Sequence, residues 1–235
     1  MFGRIVLTAL FAGLISGVFV WGAHMVKTTP LILEAEVYEN AGEGGRAEHH
    51  KNEPAASSAV STTTAEEPWA PSDGIERSLY TLLADVITSI GFAFLLVGAI
   101  SLSGRDIDWR RGILWGVCGF TAVYLSPSLG LAPELPGMQA ADLSARQAWW
   151  LGTAVATAAG LALVALQPKP VLRGLGLGLI VLPHLIGAPS AEHGPGVVPA
   201  ELASEFAVAT LAVSGLFWVV LGGLTGYFYN RFEQT

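Results

Sequence analysis

The stretch LRGLGLGLIVLPHLIGAP, Leu172 to Pro189, decides how the chain is laid out. It is apolar from Leu172 to Ala188 except for Arg173 near one end and His184 near the other. At about 1.5 Å per residue it barely reaches across a bilayer core of about 30 Å. Counted as a full crossing it gives six spans. Counted as a short, broken or re-entrant helix it gives five. Pro183 has no backbone N–H and so frees a carbonyl one turn earlier. The neighbouring His184 therefore has a possible oxygen co-ligand in its own helix, and imidazole is a common ligand for divalent transition metals. The alternative is a histidine that only hydrogen-bonds a neighbouring helix or the headgroup boundary.

The rest of the chain is of the same kind. Of 235 residues, 52% are hydrophobic and only 13% charged, with a mean hydropathy of +0.53, where a soluble domain carries roughly 25% charged residues. Apolar runs cover about 3–26, 79–103, 112–132, 147–166, 172–188 and 204–229. The expected fold class is an all-α, polytopic membrane helix bundle of about six spans, five if the 172–188 run does not cross. It forms a single membrane domain over residues 1–235.

Alternating the six runs puts Arg4, Arg105, Arg110, Arg111, Lys169, Arg173 and Arg231 on one side. By the excess of Lys and Arg in cytoplasmic loops, both termini are expected to be cytoplasmic. The first run, with no polar break until Lys27, is expected to be a retained helix and not a cleaved signal. Cys118 is the only cysteine, so no intrachain disulfide can form.

The acids lie opposite. Of 19 Asp and Glu residues, only Asp106, Asp108 and Glu233 fall on the basic side, and Asp85 falls within a span. The remainder make an acidic outer face that raises the local concentration of cations. Residues 40–74, rich in Ala, Ser, Thr, Glu and Pro, are expected to form a disordered periplasmic loop. The adjacent His49 and His50 in that loop are a weak metal signal.

Glycine pairs at four-residue spacing recur: Gly13 with Gly17, Gly112 with Gly116, Gly174 with Gly178, and Gly222 with Gly226. Such pairs let helices approach closely in lipid. SPSLGLAP (126–133) and LPHLIGAP (182–189) are alike: each ends a span with a proline near its exit. Each is followed by a Pro/Gly-rich loop and then an acid-leucine pair, Asp142 with Leu143 and Glu201 with Leu202. This suggests a parallel repeat of helical hairpins, a common arrangement in transporters.

TTPLILEAEVYE (28–39), GILWGVCGF (112–120), GLAPELPGMQAADLSARQAWWLGTA (130–154) and LPHLIGAP (182–189) together resemble the CbtA family of bacterial cobalt transporter subunits. The resemblance covers nearly every span. It implies a multi-pass inner-membrane protein that works with a small single-span, histidine-bearing partner, CbtB, in a cobalamin-related setting. Within the matching motifs the candidate metal ligands are Glu34, Glu36, Glu134 and His184. Around them stand His24 at the exit of the first run, Asp85, His193 in the last loop, and Glu205 at the head of the last run. Asp85 is notable because an ionisable group within a span is costly and usually faces a cavity or a partner. Trp149 and Trp150 fit an interfacial belt, with Arg146 beside them suited to a carboxylate or phosphate.

The expected function is passage of a divalent cation inward, with His184, Glu134 and the PLILEAE acids as outer ligands and Asp85 as a deeper relay. Such ligands suit Co²⁺ and Ni²⁺ without selecting between them. No tightly bound cofactor and no nucleic-acid partner is expected. The alternative is a non-transporting scaffold for a small metal-binding partner. No GxxxxGK[ST], HExxH, GxSxG or CxxC motif occurs, so neither ATP hydrolysis by a phosphate loop nor an enzyme is expected.

Overall fold

The computed structural model describes residues 2–50, 71–191 and 196–233, and every regular element among them is helical. In chain order these are α1 (Phe2–Lys27), α2 (Thr29–His50), α3 (Ile75–Ser103), α4 (Trp109–Phe120), α5 (Ser126–Ser128), α6 (Leu143–Leu166), α7 (Pro170–Ile186) and α8 (Ala200–Arg231). A π turn, Thr121–Leu125, joins α4 to α5, so residues 109–128 form one continuous helical path. Helices α1, α3, α6 and α8 are each long and apolar enough to cross a membrane, while α7 is apolar but only 17 residues long.

Helix ends follow local chemistry. Asp108 caps α4 by accepting from the Arg111 backbone N–H at 2.8 Å, and Asp142 caps α6 by accepting from Ala145 N–H at 2.9 Å. Gly104 ends α3 in the left-handed conformation at φ 62°, which glycine adopts without a steric penalty. The two N-caps set the starts of α4 and α6 a few residues before their apolar runs.

Helix α2 is the main departure from expectation. The sequence puts an acidic loop after the first run, yet α1 passes almost directly into α2. Thr28 N–H bonds to the His24 carbonyl and Ile32 N–H to the Thr28 carbonyl, both at 3.1 Å. One face of α2 buries Leu31 and Ala35 against Leu135, Leu202 and Phe206, so α2 and the 129–142 loop lie together over the start of α8. Of the 40–74 stretch expected to be disordered, residues 40–50 belong to α2 and 71–74 are described, whereas 51–70 lie outside the described residues.

The bundle is held by close backbone crossings. Helix α1 packs on α3 with Gly13 against Ile90 and Gly17 against Val86. Helix α4 packs on α8, Gly112 and Gly116 facing Gly222 and Gly226. A Cβ on Gly116 would lie 2.1 Å from the Trp218 carbonyl oxygen. The α6–α7 crossing uses Gly160 and Gly176 instead of the expected Gly174 and Gly178, neither of which has an atom within 4 Å of its would-be Cβ. Helix α1 also packs on α8, and the α6–α7 pair joins the rest through α6 against the π turn and α5. The core between α1, α3 and α8 holds Ala9, Ala12, Val97, Ile100, Phe217 and Leu221.

Both termini lie at one end of this bundle. Arg4 donates to the Tyr229 carbonyl at 2.7 Å and pairs with Glu233 at 2.9 Å. Asn230 donates to the Ile107 carbonyl at 3.0 Å, and Arg173 to that of Gln167 at 2.9 Å. Arg105 reaches the Ala165 carbonyl at 3.5 Å, so the loops that carry Arg105 and Arg173 meet at one end of the bundle. The opposite end carries α2, the 129–142 loop and the start of α8.

Candidate metal site

At that opposite end the structure brings two of the expected ligands together. His24, in the last turn of α1, places Nδ1 3.0 Å from Asp85 Oδ2 on α3. Asp85 is the deeper of the two, with 16% of its side chain exposed against 30% for His24. His24 lines a cleft of about 450 Å³ with Met25, Thr28, Ser78, Arg77 and Thr210. Behind the pair, Tyr124 of the π turn is hydrogen-bonded to Ser214 and lies within electrostatic range of Asp85.

This geometry sets what the pair can do. With Nδ1 engaged by the carboxylate, His24 keeps Nε2 for a metal, the arrangement in which a carboxylate orients a ligating imidazole. Further polar groups in the cleft are hydroxyls, the Met25 thioether, and the Asp73 carboxylate with the Arg77 guanidinium that it pairs. No group of three or more His, Cys, Asp or Glu side chains converges among the described residues. A site with one oriented imidazole, one carboxylate and water or hydroxyl oxygens binds weakly.

The other expected ligands are elsewhere or otherwise engaged. Glu36 on α2 forms a two-armed ion pair with Arg77, which also reaches Asp73 at 3.1 Å. This pair fastens α2 to α3 at the rim of the cleft. Glu134 pairs with Arg146 at 2.8 Å, tying the 129–142 loop to α6. Glu34 and Glu205 are exposed to the surroundings of the bundle. His193 lies outside the described residues, and the side chains of His49 and His50 are likewise not described.

His184 sits at the α5–α6–α7 junction. Its Nε2 is 3.1 Å from Ser126 Oγ, which is 2.8 Å from Thr157 Oγ1, and the Trp149 ring meets it edge-on at 6.1 Å. The two alike segments therefore meet: Ser126 precedes one exit proline and His184 follows the other, with both Pro127 and Pro183 buried. The likeness fades beyond the exits, since Asp142 caps α6 whereas Glu201 lies inside the first turn of α8 behind a Pro199 cap.

Sequence reasoning missed Arg77, Met25, Tyr124 and Thr210. Ser78 lies seven residues before Asp85, on the same face of α3 two turns away, which was the available signal for the cleft. The partner of Glu36 could not be found that way, because α2 itself was not foreseen.

A helical, multi-pass membrane protein with a cleft of about 450 Å³ at one end, bordered by His24, is thereby defined. The family of probable cobalt transporter subunits, CbtA, matches residues 2–230, and the chain belongs to that family. No curated protein and no solved structure matches the chain.

Proposed function

We propose that this chain is the membrane path of a divalent-cation uptake system, carrying Co²⁺ from the periplasm to the cytoplasm. Six crossings of the inner membrane, α1, α3, the 109–128 path, α6, α7 and α8, put both termini in the cytoplasm. The excess of Lys and Arg in the loops that alternation puts on the terminal side supports this orientation. His24 and Asp85 form the outer cargo site. Glu36 and Glu134 act through their arginines as fasteners of the outer loops, and His184 with Ser126 and Thr157 holds the α5–α6–α7 junction. The family's description as a subunit supports a partner, for which a small single-span, histidine-bearing protein is the expected kind.

The observation that carries this reading is the His24–Asp85 pair, whose histidine lines the cleft. An ionisable pair inside a span marks an ion pathway by default, because its desolvation has to be offset by function. The test is cobalt uptake into cells lacking other cobalt importers. The cells express the chain alone, with its partner, or as Asp85→Asn with the partner. Saturable uptake that needs the chain and is lost in Asp85→Asn is expected. Normal uptake in Asp85→Asn would overturn the assignment. No uptake in any arrangement of correctly inserted protein would instead favour a scaffold role.

A further inference from the structure

Hydroxyl groups inside a helix usually satisfy themselves on the carbonyl one turn back. Thr28 Oγ1 does so on His24, Thr81 on Arg77 and Thr121 on Val117. Four others in the α1–α8 half do not: Thr8 and Ser16 on α1, and Thr210 and Thr225 on α8, have buried Oγ atoms without a hydrogen-bond partner. Thr8, Ser16 and Thr225 are 0% exposed. Leaving a buried hydroxyl unpaired costs about 1–3 kcal/mol, and four such groups on two packed helices are a large cost for a bundle to carry.

Their order along the helices explains them. On α1, Arg4, Thr8, Ser16 and His24 recur at multiples of four residues, the spacing of one ridge on a helix surface. On α8, Thr210, Ser214, Thr225 and Tyr229 follow a three-to-four spacing on one face. Because Arg4 meets Tyr229 across the antiparallel pair, Thr8 and Thr225 each stand one turn further in at the terminal end. Thr210 lines the cleft with His24 at the other end. Unpaired oxygens thus occur at both ends of the α1–α8 contact, with Ser16 between.

We propose that this row is a permeation seam, closed in this structure by the surrounding Val20, Phe217 and Leu221. On opening, water and a partly dehydrated divalent cation pass along it from the cleft beside His24 to the terminal end, ligated by hydroxyl oxygens. The cargo part rests on the proposed function; the water part does not. Of the other unpaired groups, Trp218 Nε1 belongs to a ring packed on Gly119 of α4, and Trp149 Nε1 with Thr153 Oγ1 near His184 does not make a through path. One turn below Thr157, a Cβ on Gly160 would lie 2.5 Å from the Gly176 carbonyl oxygen, so backbone contact seals that lobe.

The test is thiol labelling in membranes with a small, water-soluble methanethiosulfonate. It uses Thr8→Cys, Ser16→Cys, Thr225→Cys and Thr153→Cys, each in a Cys118→Ser background. Labelling at the first three positions and not at Thr153→Cys is expected. Labelling at Thr153→Cys alone, or at none of the four, would overturn the seam. Thr8→Val and Thr225→Val give a second readout, since each replaces an unpaired hydroxyl with a methyl group. A seam predicts higher melting temperatures with severalfold lower cobalt uptake. Higher melting temperatures with unchanged uptake would overturn it as the cargo route. Loss of uptake in the unmodified protein, with labelling intact, would remove the cobalt function and leave the water seam standing.

Discussion

His24 Nδ1 and Asp85 Oδ2 stand 3.0 Å apart across the α1–α3 contact, with His24 lining the cleft at the acidic end of the bundle. The contact beneath them is rigid, because Gly17 lies against the Val86 backbone immediately beside Asp85. The pair is therefore positioned by backbone packing and not by a mobile loop. That is the condition for one imidazole nitrogen to stay aimed into the cleft.

The rim above the pair depends on Glu36 and Arg77. Each side chain is 29% exposed and the pair is two-armed, so breaking it is expected to cost about 1 kcal/mol. Glu36→Arg and Arg77→Glu are each expected to lower the melting temperature and loosen α2. The double exchange should recover most of the loss. A double-mutant cycle in detergent, with protease access to α2 as second readout, measures it; a coupling of zero would contradict the fastening role.

Glu134 separates two explanations by its partner. If it holds Arg146, Glu134→Gln and Arg146→Gln should have the same small effect on stability and on cobalt uptake. If it ligates cargo, only Glu134→Gln should reduce uptake. Equal effects are expected.

Among the glycines, those at backbone contacts should be intolerant. Gly116→Val must move the Trp218 backbone and is expected to cost about 1–3 kcal/mol or more. A Cβ on Gly178 meets nothing within 4 Å, so Gly178→Ala should fold normally. Yields of monodisperse protein from matched expressions compare them. Equal yields would contradict the packing described.

The α6 cap has a pH dependence of known sign. Hydrogen bonds from Ser144 and from the Ala145 backbone lower the Asp142 carboxyl below its ordinary value. A lowered value in the folded state means that its contribution is present above the ordinary carboxylate range and is lost as pH falls through the folded value. Asp142→Ala should therefore melt earlier than the unmodified protein at neutral pH, and the difference should shrink on acidification.

Much of the helical architecture was legible because lipid leaves little freedom: apolar runs from Gly3 to Val26 or from Leu79 to Ser103 have one stable form there. The Gly112–Gly116 and Gly222–Gly226 contacts were legible from spacing. The α6–α7 contact was not, because α7 has glycines at 174, 176 and 178, and spacing alone cannot say which faces Gly160. Helix α2 escaped notice because its charged face resembles a solvated loop, and its buried face, Leu31 with Ala35, is short. His24 and Asp85 were both visible as candidates. Their pairing was hidden by a separation of 61 residues, and His184 stood out more only because it sits beside a proline.

The most direct measurement is calorimetric titration of the purified protein with Co²⁺, comparing the unmodified chain with His24→Ala, Asp85→Asn and His184→Ala. The account predicts one saturable site, weakened roughly 10- to 100-fold in His24→Ala and Asp85→Asn and unchanged in His184→Ala. Binding that survives both changes in the α1–α3 pair and falls in His184→Ala would contradict it.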